Sequence, residues 1–394
     1  MNFFHTQNKY YERNTIKFVY KKMFNVMQQY KNRIEKSIAR MELTYRKENT
    51  DRPFFQISDV NYSLCGQVDI PKNYYNEEVM FAYQQQKMIH HLENINDDYI
   101  PSFFPWYGTG VVQSALGCKT LFQDKLDPAT EGGFIKSKED INSLKMPNPY
   151  EDGLMPQVLK CIDYFVNNTD APISVTDCQS PLNIALTLVG LEDLIYLMYD
   201  EPESVHRLMQ FCTDVLLMWL KTQKKHLKVE MTHGALPHGL YMPKGGVSMS
   251  DDDIVVLNEE MYSEFVIPYL NQILYECGGG SIHFCGSCHH QTNNFSKFKN
   301  LVAINNFCMN DFKQIELLRK HSPSGIVMAC DFNPINIQKY FDELKEIVTD
   351  PRGVVVSTFI APCMLLDGNS YSSAEKDGEE ILNTTLNVYK EWLN

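Results

Sequence analysis

Short apolar runs alternate with longer amphipathic segments from residue 54 onward, and that alternation leaves few architectures open. The strand candidates are Phe54–Ile57, Tyr99–Phe104, Pro172–Thr176, His233–His238, Ser281–Cys285, Leu301–Phe307, Gly325–Cys330 and Gly353–Ile360. Helical segments between successive strands require parallel pairing with crossover connections. Eight such units predict a closed TIM (β/α)8 barrel. The helical pattern is clearest after Asp200, where Asp200 and Glu203 read as a capping-box-like start. Val205, Leu208, Met209, Cys212, Leu216, Trp219 and Leu220 then trace one apolar face.

The N-terminal region has a different pattern. Ile16, Val19, Met23, Met27, Tyr30, Ile34, Ile38 and Met41 recur at spacings of three and four, which predicts an amphipathic helix or a broken pair of helices over about residues 10–43. The polar stretch Lys47–Pro53 ends it, because Pro53 biases Arg52 away from helix. The chain therefore divides into an N-terminal helical extension, 1–52, and a barrel, 53–394. A helix of this length could serve homodimerisation or partner docking; packing across the bottom of the barrel is the simpler use.

Composition excludes several classes of function. The formal net charge is -13, so the protein as a whole repels a phosphate backbone, and nucleic acid is not an expected partner. Met1–Lys9 has no apolar segment behind a basic one, and no run approaches the ~18 apolar residues that span a bilayer. Eleven cysteines are scattered without the dense spacing of a disulfide scaffold, and their number is odd. A reducing cytoplasm is the expected compartment, where clustered thiols favour metal over cross-links.

Chemically capable residues gather at the carboxyl ends of the predicted strands, the face on which barrels build their active sites. Asp177 and Cys178 follow the third, His238 and Tyr241 the fourth, Asn305 and Asn306 lie in the sixth, Cys330 and Asp331 close the seventh, and Cys363 follows the eighth. The densest group is His283, Cys285, Cys288, His289 and His290. On a strand, a period of two sends His283 and Cys285 to one face while Ile282 and Phe284 pack on the other. An imidazole and a thiolate suit zinc, and a catalytic zinc needs three protein ligands and an open position. The competing reading is a buried core pair, since cysteine is among the most buried residue types. The acidic run Asp251–Asp253 reads as a solvated helix start.

Segments Tyr107–Cys118, Asp127–Pro147, Leu182–Leu208, Met249–Leu270 and Ile282–Gly286 together resemble the uroporphyrinogen decarboxylase superfamily, most closely its cobamide-dependent methyltransferase branch. The resemblance implies a TIM barrel independently of the strand count. The decarboxylases of that superfamily grip substrate carboxylates with an arginine-rich N-terminal motif; here Pro53–Asp59 holds no arginine. The methyltransferases hold zinc with a His-x-Cys and a distant cysteine, which implies His283 and Cys285 as ligands. The comparable distant step reads Ser357, Thr358, Phe359, so the third ligand falls to Cys363 a few residues later, with Cys330 as a substitute. The implied activity is zinc-dependent transfer of a methyl group between a corrinoid, carried on a partner protein, and a small thiol or similar acceptor. Asp331, Asp177 and His238 are the candidates for positioning or proton transfer. The alternative is a metal-free decarboxylase-like enzyme, or a protein that binds a tetrapyrrole or corrinoid.

Overall fold

Six apolar runs pair into one parallel sheet: β1 Phe54–Asp59, β2 Val247–Ser250, β3 Gly280–Cys285, β4 Leu301–Phe307, β5 Val327–Phe332 and β6 Val354–Ile360. Their order is β1-β6-β5-β4-β3-β2, so the first strand lies against the last. The computed structural model describes residues 13–59, 73–123, 126–234, 239–307, 311–321, 327–332, 337–360, 366–367, 370–371 and 378–393. Two further extended segments are joined to each other by a single parallel bridge, Phe103 with Ile173, and Gln179, further along the second of them, bridges Ser250 of β2. At the other end of the sheet, Asp98 N–H donates to Phe55 O at 2.9 Å. The second and third expected strands therefore exist as extended chain with bridges and no ladder.

The fourth strand differs from expectation. The described strand in that place is Val247–Ser250, where Val247 and Met249 are fully buried; of the expected His233–His238, residues 235–238 lie outside the described residues. His233 lies in a turn, its N–H donating to Glu230 O at 3.0 Å. Tyr241, further along the same stretch, packs beside a small second core cluster, away from the carboxyl ends of the strands. The chain can enter β2 because position 246 is glycine: a Cβ there would lie 1.8 Å from Met231 O. The antiparallel hairpin Lys119–Gln123 with Leu126–Glu131 lies outside the main sheet, and no strand was expected in either segment.

The N-terminal pattern forms one helix, Arg13–Arg46. Its residues Ile38, Met41 and Tyr45 join Phe54, Val302, Ala303 and Val355 in the second core cluster. Those four residues begin β1, β4 and β6, so this helix covers the amino-terminal ends of the strands. Arg33 and Arg52 fasten the region. Arg33 donates to the Asp97 carboxylate at 3.0 Å and to the carbonyls of Leu92 and Ile95. Arg52 makes a two-pronged pair with Asp98 and donates to Tyr389 Oη at 2.8 Å. The helix Pro202–Leu227 buries all seven residues of its predicted stripe. Its start is shifted, because Asp200 ends the preceding helix Leu191–Asp200 and Pro202 takes the first turn. Among the described residues no single helix is long and apolar enough to cross a membrane.

Candidate metal centre

β3 alternates as its sequence demands. Ile282 and Phe284 are fully buried in the main core, while His283 and Cys285 share the opposite face. His283 is 7% exposed, whereas Cys285, the last residue of the strand, is exposed. Their ligand atoms converge, with His283 Nε2 3.5 Å from Cys285 Sγ. With Zn–N near 2.0 Å and Zn–S near 2.3 Å, a tetrahedral site spaces nitrogen and sulfur by about 3.5 Å. The pair therefore already stands at the separation a shared zinc ion requires.

A third donor comes from the strand beside it. Ser250 of β2 pairs in register with His283, and two residues later Asp252 reaches over the end of β3. Its Oδ1 lies 3.9 Å from His283 Nε2 and accepts the Cys285 N–H at 2.7 Å. Ligand atoms of Asp252, His283 and Cys285 all fall within 4.8 Å of one another, the one such grouping among the described residues.

The imidazole is prepared for ligation. Burial disfavours its charged form and lowers its pKa, against smaller opposing effects of Asp252 and Asn305. Asn305, paired with His283 in the β3–β4 register, places its Oδ1 against Nδ1. Nδ1–H is then the donor and the Nε2 lone pair faces Cys285 and Asp252.

The acidic run does open a short 3-10 helix, Asp252–Val255, but its first residue is not solvated. Asp251 is fully buried, accepts from Tyr262 Oη at 2.5 Å and from Ser180 Oγ, and burial lifts its pKa to about 6. Asp177 is brought to the same end of the sheet. Its carboxylate accepts from Gln179 Nε2 at 2.6 Å and faces Ser250 Oγ at 3.4 Å. Burial, with the nearby charge of Asp252, lifts its pKa to about 6. A carboxyl with a raised folded pKa holds its proton more tightly folded than unfolded, so it lowers stability as pH rises from about 3.8 to about 6. Asp177→Asn is therefore expected to raise stability at pH 7.5 by about 3 kcal/mol. The gain should vanish near pH 4. Urea unfolding across that pH range checks this, and a pH-independent difference from the parent protein would refute it.

The other nearby ligand types point elsewhere. Cys288 is fully buried in the main core and burial pushes its thiol pKa up. His289 Nε2 lies 2.8 Å from Asp311 Oδ2, and His290 Nε2 lies 3.0 Å from Leu257 O. Cys178 is buried as well, its Sγ 3.3 Å from Thr176 O. His238 and Cys363 lie outside the described residues. Cys330 and Asp331 sit in β5, paired in register with Asn306 and Phe307; their side chains lie outside the described set. Asp252 is the site residue that sequence reasoning missed. Its place follows only from the strand assignment: with Val247–Ser250 as β2, Asp252 lies just past a carboxyl end, which His233–His238 as the fourth strand concealed.

Residues 68–227 match the family described as uroporphyrinogen decarboxylase (URO-D). The likeness is to the uroporphyrinogen decarboxylase superfamily. The chain is 27% identical over 186 residues to a methylated-thiol–coenzyme M methyltransferase of Methanosarcina mazei. The alignment takes in 46% of this chain and 46% of that relative, so the chain spans about half the length of the curated protein it matches. A solved methyltransferase structure from Methanosarcina mazei superposes with a TM-score of 0.63, covering 90% of this chain and 98% of the other at 13% identity. At that identity the superposition shows a shared fold. The sequence matched to the superfamily includes Tyr107–Cys118, Asp127–Pro147 and Leu182–Leu208, while β3 and its ligands lie beyond it.

Proposed function

We propose that this chain is a zinc-dependent methyltransferase. It moves a methyl group between a corrinoid, carried on a separate protein, and a small thiol or similar acceptor in the cytoplasm. The observation that carries this reading is the 3.5 Å approach of His283 Nε2 and Cys285 Sγ at the end of β3, with Asp252 beside them. The methyltransferase names of the relatives agree with it. The parallel sheet, with its two bridged segments and its first strand against its last, is read as a TIM (β/α)8 barrel, residues 53–394. Residues 1–52 form its N-terminal helical extension.

The donor chemistry fits zinc: a neutral imidazole, a thiolate and a carboxylate, with Cys363 proposed as the second thiolate. A bound zinc ion supplies Lewis acidity that keeps an acceptor thiol deprotonated near neutral pH. The chain's own residues do the rest. Asn305 holds the His283 tautomer, Asp252 holds the Cys285 backbone, and Asp177 presents a carboxyl with a raised pKa at the same end of the sheet. Asp331 and His238 are proposed as further groups at that mouth.

A decarboxylase acting on a polycarboxylated tetrapyrrole needs cationic partners. Arg52, the arginine nearest β1, is committed to Asp98 and Tyr389. Incubating the purified protein with methylcobalamin and a panel of thiols separates the two readings. Loss of the cobalt-bound methyl group, followed in the visible spectrum and abolished by zinc removal, is the expected result. No zinc-dependent change with any acceptor would favour the metal-free reading.

A further inference from the structure

Position 306 breaks the apolar pattern of its own strand face. β4 places Asn306 on the same face as the fully buried Ile304, and Asn306 is itself only 3% exposed. Its register partner is Phe284, whose ring packs against Phe295 with centroids 6.0 Å apart. A carboxamide in such a layer is costly unless its hydrogen bonds are made. The Nδ2 group makes two. It donates to Phe284 O at 3.0 Å and to Gly286 O at 3.1 Å, the carbonyls on either side of Cys285 in the chain.

Oδ1 is buried without a hydrogen-bond partner among the described residues. Rotating the amide would set that oxygen against both carbonyls, so the orientation has one solution. Gly286 follows with φ +80°, and its N–H donates to Phe307 O at 2.8 Å. Cys288 N–H donates to Gln314 Oε1 at 2.7 Å. The turn after β3 is thus fastened at several backbone groups, and Asn306 is the side chain that spans Cys285.

We propose that Asn306 is a positioning residue for Cys285, holding the turn so that the sulfur faces His283 Nε2 and Asp252. The inference rests on reading Cys285 as a metal ligand and deepens it by naming what aims the thiolate. The two adjacent asparagines then have separate roles, Asn305 orienting the imidazole and Asn306 orienting the sulfur.

Asn306→Leu keeps the branched shape, with somewhat larger volume, and removes the donor, and is the variant that decides the proposal. Val205→Ala, in the distant Pro202–Leu227 helix, serves as a control for general loss of stability. Zinc affinity by chelator competition should fall about 10- to 100-fold in Asn306→Leu, the range seen when residues behind a ligand are lost. It should stay unchanged in Val205→Ala. In metal-free protein, alkylation at Cys285, located by peptide mass mapping, should become several-fold faster in Asn306→Leu alone. Should the leucine variant fail to fold, Asn306→Ser, which retains one donor, carries both measurements. Zinc affinity and alkylation rate both within about twofold of the parent protein, with only the melting temperature lowered, would overturn the proposal. Absence of zinc binding in the parent protein would sink the metal reading instead, and the alkylation comparison would still decide the role of Asn306.

Discussion

His283→Ala and Cys285→Ala are each expected to strip the protein of zinc, from about one ion per chain to none that survives desalting. Each removes a donor from a pair standing 3.5 Å apart. Loss of residues that merely support a ligand costs about 10- to 100-fold in affinity, and loss of a ligand should exceed that. Methyl transfer should fall with the metal. The fold should survive in Cys285→Ala, because this side chain is exposed at the end of its strand. His283→Ala leaves a small buried gap and removes the hydrogen bond between His283 and Asn305, so a modest drop in stability accompanies the metal loss. Cys288→Ala and His290→Ala are the matched controls. Their side chains face the core and Leu257 O, so both should retain full metal. Elemental analysis of the four proteins checks the set. Stoichiometric zinc in both His283→Ala and Cys285→Ala would show that the pair is structural.

The second large effect concerns the donor that completes the set. Cys363→Ala is expected to lower zinc affinity by more than about 100-fold, since a thiolate is the strongest donor this site could still recruit. Cys330→Ala should keep the metal. Asp252→Asn should have a smaller effect, about tenfold, because its carboxylate is partly open to solvent and water can take over a position on the ion. The three variants, measured by chelator competition, rank the donors. Retention of zinc in Cys363→Ala together with its loss in Asp252→Asn would make Asp252 the third ligand. Loss in Cys330→Ala would move that ligand to β5.

That His283 and Cys285 share one strand face was legible in the sequence because the logic is local. A strand has a period of two, so Ile282 and Phe284 going into the core leaves His283 and Cys285 together on the other face. The stripe from Val205 to Leu220 was legible for the same reason, with a helical period in place of two. β1, β3, β4, β5 and β6 also followed from their own residues, to within a few positions.

Asp252 was not legible, and the reason is tertiary. Three consecutive aspartates have an ordinary local meaning at a helix start, and nothing within the run separates the three. The fold separates them. Asp251 is buried against Ser180 and Tyr262, while Asp252 is carried to His283 by the pairing of β2 with β3. That pairing was hidden because His233–His238 competed for the place of the fourth strand. The described chain enters β2 through a close backbone approach at Gly246, whose N–H donates to the Cys277 carbonyl and whose missing side chain leaves room for the Met231 carbonyl. Asn306 belongs to the same category. Its sequence neighbours mark it only as polar in an apolar strand, and its purpose emerges when β4 sets it beside the two carbonyls that flank Cys285. Sequence alone thus determined which faces are apolar and which residues could bind a metal, because periodicity is a property of a single element. The partners that hold those residues in place were decided by register between strands, a relation that no single segment encodes.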